Sequence, residues 1–385
     1  MRSKQASRWW RPIHVLVLAL VTVNAGTAIA SDGGSTLRIG MVIDGINNRE
    51  RNFARLFRSE MVAVAGDTQS VEFPEDAVVD GGWDRARIAS AMDEILARSD
   101  LDVIVAMGVA AGAEICRRQE LGTPVVVPFA FGGCSTECPD QPDLRVRALD
   151  LGEIVTRDLG AFHEMSPFTR VAILIDELWP RDCSGATVVQ QVTPADVAVD
   201  FVVVETTNLE VVDALPPGTD AVYIMPLLQL DDEEFDSVVH SLTVAGLPTF
   251  SMLGESEVER GVLAGMNTSA TMDAFVRGAA LDVLDLVEGR AGSAVAMADS
   301  GGQLTLNMAT AQTLGFSPSW ELLTRARVVN DEGLRRDRAI DHATAIQRAV
   351  AANLDLAVRD RRVAAGAEDI RDARAAYRPR IDLGP

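Results

Sequence analysis

Lysine is almost missing from this chain. Lys4 is the only one, and arginine supplies every other fixed positive side chain. We read that as genomic composition bias and attach no chemistry to it. Positive charge as a whole is scarce, with 35 Lys+Arg against 56 Asp+Glu and a formal net charge of −21. Nucleic acid requires a basic face, and anionic lipid surfaces attract clustered lysine and arginine; neither partner fits this balance. Histidine is also thin: His14, His163, His240 and His342 are scattered. No G-x-S-x-G, Walker A or metal-ligand cluster accompanies them. The case for an enzyme is correspondingly thin, and no cofactor is expected. After the N-terminus no apolar run approaches the length of a membrane span.

Cysteine is limited to four residues, at 116, 134, 138 and 183. Cys134 and Cys138 lie close together in a Gly/Pro-bounded loop, GGCSTECPD, where a local disulfide is plausible. Cys116 falls within a helical pattern and reads as a buried thiol. Four cysteines allow three full pairings, and spacing does not choose among them. A metal site on the C-x-x-x-C pair is weakly supported, because no histidine lies nearby.

The N-terminus reads as an export signal. Arg2, Lys4, Arg8 and Arg11 precede a short apolar run, Val15–Val23, and Ala28-Ile29-Ala30 fits an A-x-A cleavage site. Residues 1–30 are therefore expected to be removed, leaving an exported chain. The remaining length and the 48% hydrophobic content suffice for more than one core.

The stretch Leu101–Phe131 is the centre around which the other elements are arranged. Two runs rich in Val and Ile, Val103–Met107 and Pro124–Phe129, flank a helix-length segment. This is the pattern of two parallel strands buried on both faces, joined by a crossover helix. Gly108 ends the first strand and opens the helix. In open α/β sheets ligands collect beyond the carboxyl ends of the strands. Met107–Ala111 and Phe131–Gly133 are therefore a candidate binding wall, although Gly108 taken alone is more simply a turn glycine.

Strand and helix patterns alternate on both sides of this unit. Before it come a strand at Leu37–Ile43, a helix at Arg51–Ala65, a short strand at Val71–Phe73 and a helix at Trp83–Ala97. After it come helices at Leu151–Met165, Cys183–Gln191, Asn208–Leu215 and Asp231–Ala245, with strands at Val171–Ile175, Val197–Val204, Ala221–Met225 and Pro248–Met252. Val262–Met266 and Leu304–Asn307 read as short strands around a helix at Thr271–Glu288, and Met308–Leu314 as a short helix. Two doubly wound parallel-sheet lobes in succession imply a cleft between them.

Three stretches carry a resemblance: DVIVAMG with the following TPVVVPFAF; GTDAVYIMP with GLPTFSM and VERGVLAGMN; and LTLNMATAQTLGFSPSWELLTRA. In this order and spacing the chain from about Leu37 to Val329 resembles the periplasmic substrate-binding proteins of ABC uptake systems with the type I fold, specifically the tryptophan-binding-like family. The resemblance implies two lobes joined by three crossovers, with a small ligand at the hinge. It places 31–146 and 252–292 in lobe 1, 147–251 and 293–326 in lobe 2, and leaves 327–338 as a charged linker. The chain departs from the family at Val109, where a hydroxyl-bearing residue is usual, and at the GGCSTEC segment, which replaces a common Asp. An amino-acid ligand is therefore not assumed.

The candidate cleft set is Asp44, Gly45, Asn47, Gly108, Val109, Ala110, Phe131, Gly132, Asp176, Trp179, Pro226, Ser251, Gly254 and Glu255. Asp44, Asp176 and Glu255 lie at strand ends, where they can fix a ligand amine through charge-assisted hydrogen bonds. Helix capping is the more mundane role for any one of them. Trp179, beside Pro180, offers either an apolar ligand wall or lobe packing. The acidic start of the helix at Asp231 reads as capping rather than metal binding.

Residues 339–385 add a long helical pattern, with Ile346, Val350, Leu354, Ala357, Val363, Ala367, Ile370 and Ala373 at three- or four-residue steps. An ordinary amphipathic or coiled-coil helix accounts for it. The run AIQRAVAANLDLAVRDRRVAAGAEDIRDARAAYRPRIDL also resembles the opening of TolC-like outer-membrane efflux proteins, through Asn353 to Leu356 and Ala373-Arg374 with Pro379. That resemblance implies a binding module joined to the start of an efflux duct. The helix would then need partner helices, the partners would include membrane transport or efflux components, and the location would be periplasmic or outer-membrane-associated. The chain thus has two readings: a module that closes over a small solute, or a ligand-silent structural module of an efflux assembly.

Overall fold

The computed structural model describes residues 36–66, 69–132, 138–179, 197–206, 209–290 and 302–331, with part of 361–371; for 48–50, 131 and 132 it describes the backbone. The signal segment, Pro180, Cys134, the helical pattern at 183–191 and most of the tail pattern lie outside the described residues.

The first sheet begins with β1 (Thr36–Ile43), followed by α1 (Asn48–Ala65), β2 (Ser70–Glu72), β3 (Val78–Asp80), α2 (Arg85–Leu96), β4 (Val103–Met107), α3 (Val109–Cys116), β5 (Val125–Gly132) and β6 (Leu144–Asp150). Its order is β2-β1-β4-β5-β6. β2 and β3 pair successive parts of β1, and every pairing is parallel. All five residues of β4 are buried, as expected of a central strand covered on both faces. Ile88, Met92 and Ile95 of α2 cover one face together with Ile115 of α3. Phe57 and Met61 of α1 cover the other.

The chain then enters the second sheet through α4 (Leu151–Met165) and continues with β7 (Arg170–Asp176), β8 (Ala198–Val204), α5 (Val211–Ala214), β9 (Ala221–Ile224), α6 (Asp232–Val244), β10 (Thr249–Ser251), α7 (Glu255–Val258) and β11 (Ala264–Gly265). Next come α8 (Ser269–Val287), β12 (Thr305–Asn307), α9 (Met308–Thr313), α10 (Trp320–Arg325) and β13 (Arg327–Val329). The seven-stranded order is β13-β12-β11-β10-β9-β7-β8, parallel except between β11 and β12. The fold is mixed α/β with two largely parallel sheets, the class the alternating pattern implies. Helix α8 crosses back to the first sheet: Val276, Ala279, Ala280 and Val283 share a core with Leu37, Ile39, Phe57 and Val105. The Arg147–Asp282 ion pair, 2.5 Å long with both side chains nearly buried, joins β6 to this helix.

Four features differ from the sequence reading. Residues 252–268, expected in lobe 1, carry α7 and β11 and pack with the second sheet, so the return to the first sheet begins with α8. Leu144–Asp150, to which the sequence reading gave no element between the Gly/Pro-bounded cysteine loop and the helix at Leu151, is a strand; it forms the sheet edge, where charged side chains are tolerated because one side stays wet. Arg327–Val329 is not linker but the edge strand β13, held in register by Thr305, Leu306 and Asn307. Cys138 is bonded to Cys116 and not to Cys134: the sheet brings the end of α3 and the loop after β5 to a Cα separation of 4.3 Å, a proximity that a sequence separation of 22 conceals. Cys116 is accordingly not a free thiol. Among the described residues no helix is long and apolar enough to cross a membrane.

Candidate ligand-binding site

Beyond the carboxyl ends of β4, β5 and β9 a cleft cavity of about 620 Å³ lies between the two sheets. The first sheet's side supplies Met107, Gly108, Val109, Phe129, Leu149 and Asp150, with Phe53 and Leu56 from α1 and Met272 and Phe275 from α8. The second supplies Glu153, Ile154 and Arg157 from α4, Pro226 and Leu228 after β9, Asp232 from α6, and Met252, Leu253, Glu257 and Arg260 around α7. Asn267, Thr268 and Thr271 contribute where α8 crosses back.

The apolar wall is aromatic. Phe129 has ring centroids of Phe53 and Phe275 each 4.7 Å away; the Phe275 ring stacks on it at 25° and the Phe53 ring is tilted by 48°. Three elements distant in sequence thus share one face, and each fixes the next.

Behind the opposite wall is a polar network. Asp158 is fully buried, and its Oδ1 accepts two hydrogen bonds from the Arg157 guanidinium at 2.8 and 2.9 Å. Its Oδ2 accepts the Tyr223 hydroxyl at 2.9 Å. Burial nevertheless pushes the Asp158 carboxyl up to about 6, because desolvation outweighs the guanidinium and the hydroxyl. Arg157 also reaches Asn267 Oδ1 at 3.2 Å, and the Asn267 amide donates to the Met252 carbonyl. Ser251 donates to buried Glu257 at 2.5 Å and accepts the Gly254 amide at 3.1 Å. Gly254, at φ +71°, lies against the Asn267 backbone where a Cβ could not fit. Arg260 donates to Asp236 and to the Asp232 carbonyl at 2.8 and 2.7 Å.

Two side chains tie the lobes together at the other end of the cleft. Asn47 donates to the Leu228 and Leu230 carbonyls at 2.7 and 3.2 Å. Arg85 donates to the Leu178 and Trp179 carbonyls at 2.6 and 3.0 Å. Beside them a void of only about 10 Å³ is bounded by Asp44, Val109, Asp176, Leu178, Trp179, Pro226 and Leu228, so this end is closed by the chain's own side chains.

Asp44 is committed to α3. Its two oxygens accept the Ala110 and Ala111 amides at 2.8 and 2.7 Å. Gly108 allows this approach: at φ +139° it brings the turn so close that a Cβ would overlap the Asp44 carboxyl. Burial raises Asp44 to about 6; the two amide bonds oppose the rise and neighbouring Asp176 adds to it. Asp176 accepts the Leu178 and Gln229 amides at 2.8 and 2.9 Å, and its carboxyl is likewise raised by burial.

Of the candidate set, Gly108, Val109 and Pro226 line the large cavity. Asp44, Asp176 and Trp179 border the small void, and Asn47 spans the cleft. Ala110 gives its amide to Asp44, and Gly45 is covered by the Trp83 ring. Ser251 and Gly254 lie in the network beneath the wall. Glu255 holds the start of α8 by accepting the Ser269 amide at 2.9 Å, and it pairs with Arg327. Phe131 and Gly132 end β5 in register with Leu149 and Asp150. The sequence reading did not single out Phe53, Phe129, Phe275, Glu153, Arg157, Glu257, Arg260 or Asn267. Phe129, at the end of an apolar strand run, was the most accessible of these from sequence.

The order of the sheets, the crossing back of α8 and the position of the cavity define the two-lobe type I periplasmic-binding fold, and solved structures similar to this chain include a solute-binding protein. A Streptococcus pneumoniae ABC domain in complex with L-Trp is 15% identical, with a TM-score of 0.60 over 77% of this chain and 100% of that one. A conserved domain protein from Vibrio cholerae is 15% identical, with a TM-score of 0.61 over 76% and 99%. The 5-methylthioribose transporter solute-binding protein of Thermotoga lettingae is 16% identical, with a TM-score of 0.50 over 75% and 95%. At these identities the likeness is one of fold. No protein-family model matches the chain, and no curated protein matches it by sequence.

Proposed function

We propose that this chain is an exported binding protein, not an enzyme, that closes two lobes over a small solute as part of a transport process. The observation that carries this reading is the cleft cavity of about 620 Å³ between the two sheets, with an aromatic wall on one lobe and polar groups on the other. A ligand-silent module would fill this space with its own side chains, as the chain does only at the Asp44–Asp176 end. The cross-cleft bonds of Asn47 and Arg85 support closure as the working motion. A thermal-shift screen of the mature chain against amino acids, sugars, amines and apolar solutes tests it. A melting temperature raised by at least one compound, with a smaller radius of gyration on binding, is expected; a panel with no response at all removes the solute-binding reading.

The efflux connection is a separate part of the proposal. It rests on the TolC-like resemblance of 339–385 and on Val363 and Ile370, which are 72% and 57% exposed on a helical segment. Apolar side chains so placed suit a helix that packs against partner helices. Co-purification of the full chain, but not of a chain ending at Asp331, with outer-membrane components is the expected result. Equal recovery of both removes the connection.

A further inference from the structure

Helix starts are the natural docking points for an anionic ligand group, because their amides are unpaired and the dipole is positive there. Among the described residues, α3, α4, α6 and α8 begin at or beside the cavity, and the chain's own carboxylates accept backbone amides at the start of each, the Thr268 hydroxyl being the N-cap of α8. Asp44 holds two amides of α3. Asp150 accepts the Glu153 amide of α4 at 3.0 Å, and Asp231 accepts the Glu233 and Glu234 amides of α6. Glu255 takes the Ser269 amide that opens α8.

The remaining charge points the same way. Five carboxylates among the described residues line the cavity, Asp150, Glu153, Asp232, Glu257 and Glu259; Asp150 caps α4 and Asp232 and Glu259 pair with Arg260 and Arg327, but carboxylates still outnumber guanidiniums in the lining. Only two guanidiniums among those residues line it, and both are bonded to carboxylates, Arg157 to Asp158 and Arg260 to Asp232 and Asp236. A carboxylate on the solute would meet filled helix starts, engaged arginines and like charge. The opposite wall, built around Phe129, offers aromatic faces, which attract cations as well as apolar bodies.

We propose that the solute is an organic cation: an amine or quaternary ammonium group on an aromatic or aliphatic body, without a free carboxylate. The inference rests on the solute-binding reading and narrows it to one ligand class. The ammonium faces the carboxylates of the second lobe, and the body lies against Phe53, Phe129 and Phe275.

Titration calorimetry of the mature chain at pH 7.5 and low salt, with three probes of one body, tests it. The probes are 2-phenylethylamine, phenylalanine and 3-phenylpropionate. The amine is expected to bind at least ten-fold more tightly than the zwitterion, with no measurable binding of the anion and an affinity that falls with added salt. Glu153→Gln, at an exposed position on the cavity rim, is expected to weaken amine binding several-fold without lowering the melting temperature. Equal or reversed ranking of the probes overturns the inference and leaves solute binding standing. So does silence of all three probes alongside a neutral or anionic hit in the wider screen. Unchanged amine affinity in Glu153→Gln also counts against it. A screen with no hit of any class removes both.

Discussion

The Asn47 side-chain amide donates to the Leu228 carbonyl at 2.7 Å, joining residues 181 positions apart at the closed end of the cleft. Asn47 follows β1 of the first sheet, and Leu228 follows β9 of the second. The accepting groups for both Asn47 and Arg85 are main-chain carbonyls, so the latch depends on where the second lobe's backbone lies.

Asn47→Ala should therefore shift the lobes toward an open state without unfolding either. One net hydrogen bond contributes about 1 kcal/mol, so solute affinity is expected to fall roughly five- to ten-fold. Scattering on the ligand-free protein would show a larger radius of gyration, and the melting temperature would change little. An unaltered radius and affinity would rule out the latch.

Acid should stabilise the protein over a defined range. Asp44 and Asp158 are each raised from 3.8 to about 6, chiefly by burial. Between those values the folded chain binds protons that the unfolded chain does not. Stability therefore increases as pH falls through about 6 toward 4 and is lost again as pH rises, by on the order of 2 kcal/mol per group. Below that window Asp220, held low by amide and hydroxyl donors from Thr169 and the Arg170 amide, becomes protonated and loses stability. Calorimetric melting should peak near pH 4, and Asp44→Asn should flatten the slope between pH 5 and 7 even if its baseline stability is lower. A melting temperature that rises steadily from pH 4 to 7 would contradict this.

Phe129→Ala removes the middle ring of the aromatic wall. Because Phe129 is only half-buried, the stability cost should fall below that of a fully buried Phe, roughly 2 kcal/mol. The loss of solute affinity should be larger, at least ten-fold, with Phe129→Leu intermediate. Chemical denaturation and calorimetry on the same samples separate the two effects.

The Cys116–Cys138 bond closes a loop containing β5 and ties it to the end of α3. Removing that constraint should cost about 3 kcal/mol by the chain-entropy argument. Paired melts of oxidised protein and of the Cys116→Ala, Cys138→Ala double variant measure it; identical curves would show that the bond is dispensable.

Much of the architecture was legible because parallel strands buried on both faces are written as unbroken apolar runs. Val103–Met107, Val171–Ile175 and Ala221–Met225 could be read directly, and so could the helices whose apolar residues recur at three- and four-residue steps. Edge strands left little trace. Leu144–Asp150 and Arg327–Val329 carry arginines and bury few side chains, and neighbours far along the chain create their pairing.

Strand ends, turn glycines and acidic helix starts depend on local geometry, so the chain alone determined two wound layers and the region in which a cleft would form. Tertiary structure decided what the cleft contains. Phe53, Phe129 and Phe275 come from three separate elements, and no spacing rule predicts that their rings will stack. Asp44 could be read equally as a ligand contact or as a cap, and only the approach of Gly108 across 64 residues commits its carboxylate to the amides of α3. The physical reason is common to both. Periodicity reports which face of an element is buried, whereas the chemistry of a site depends on which distant faces are brought to the same few ångströms.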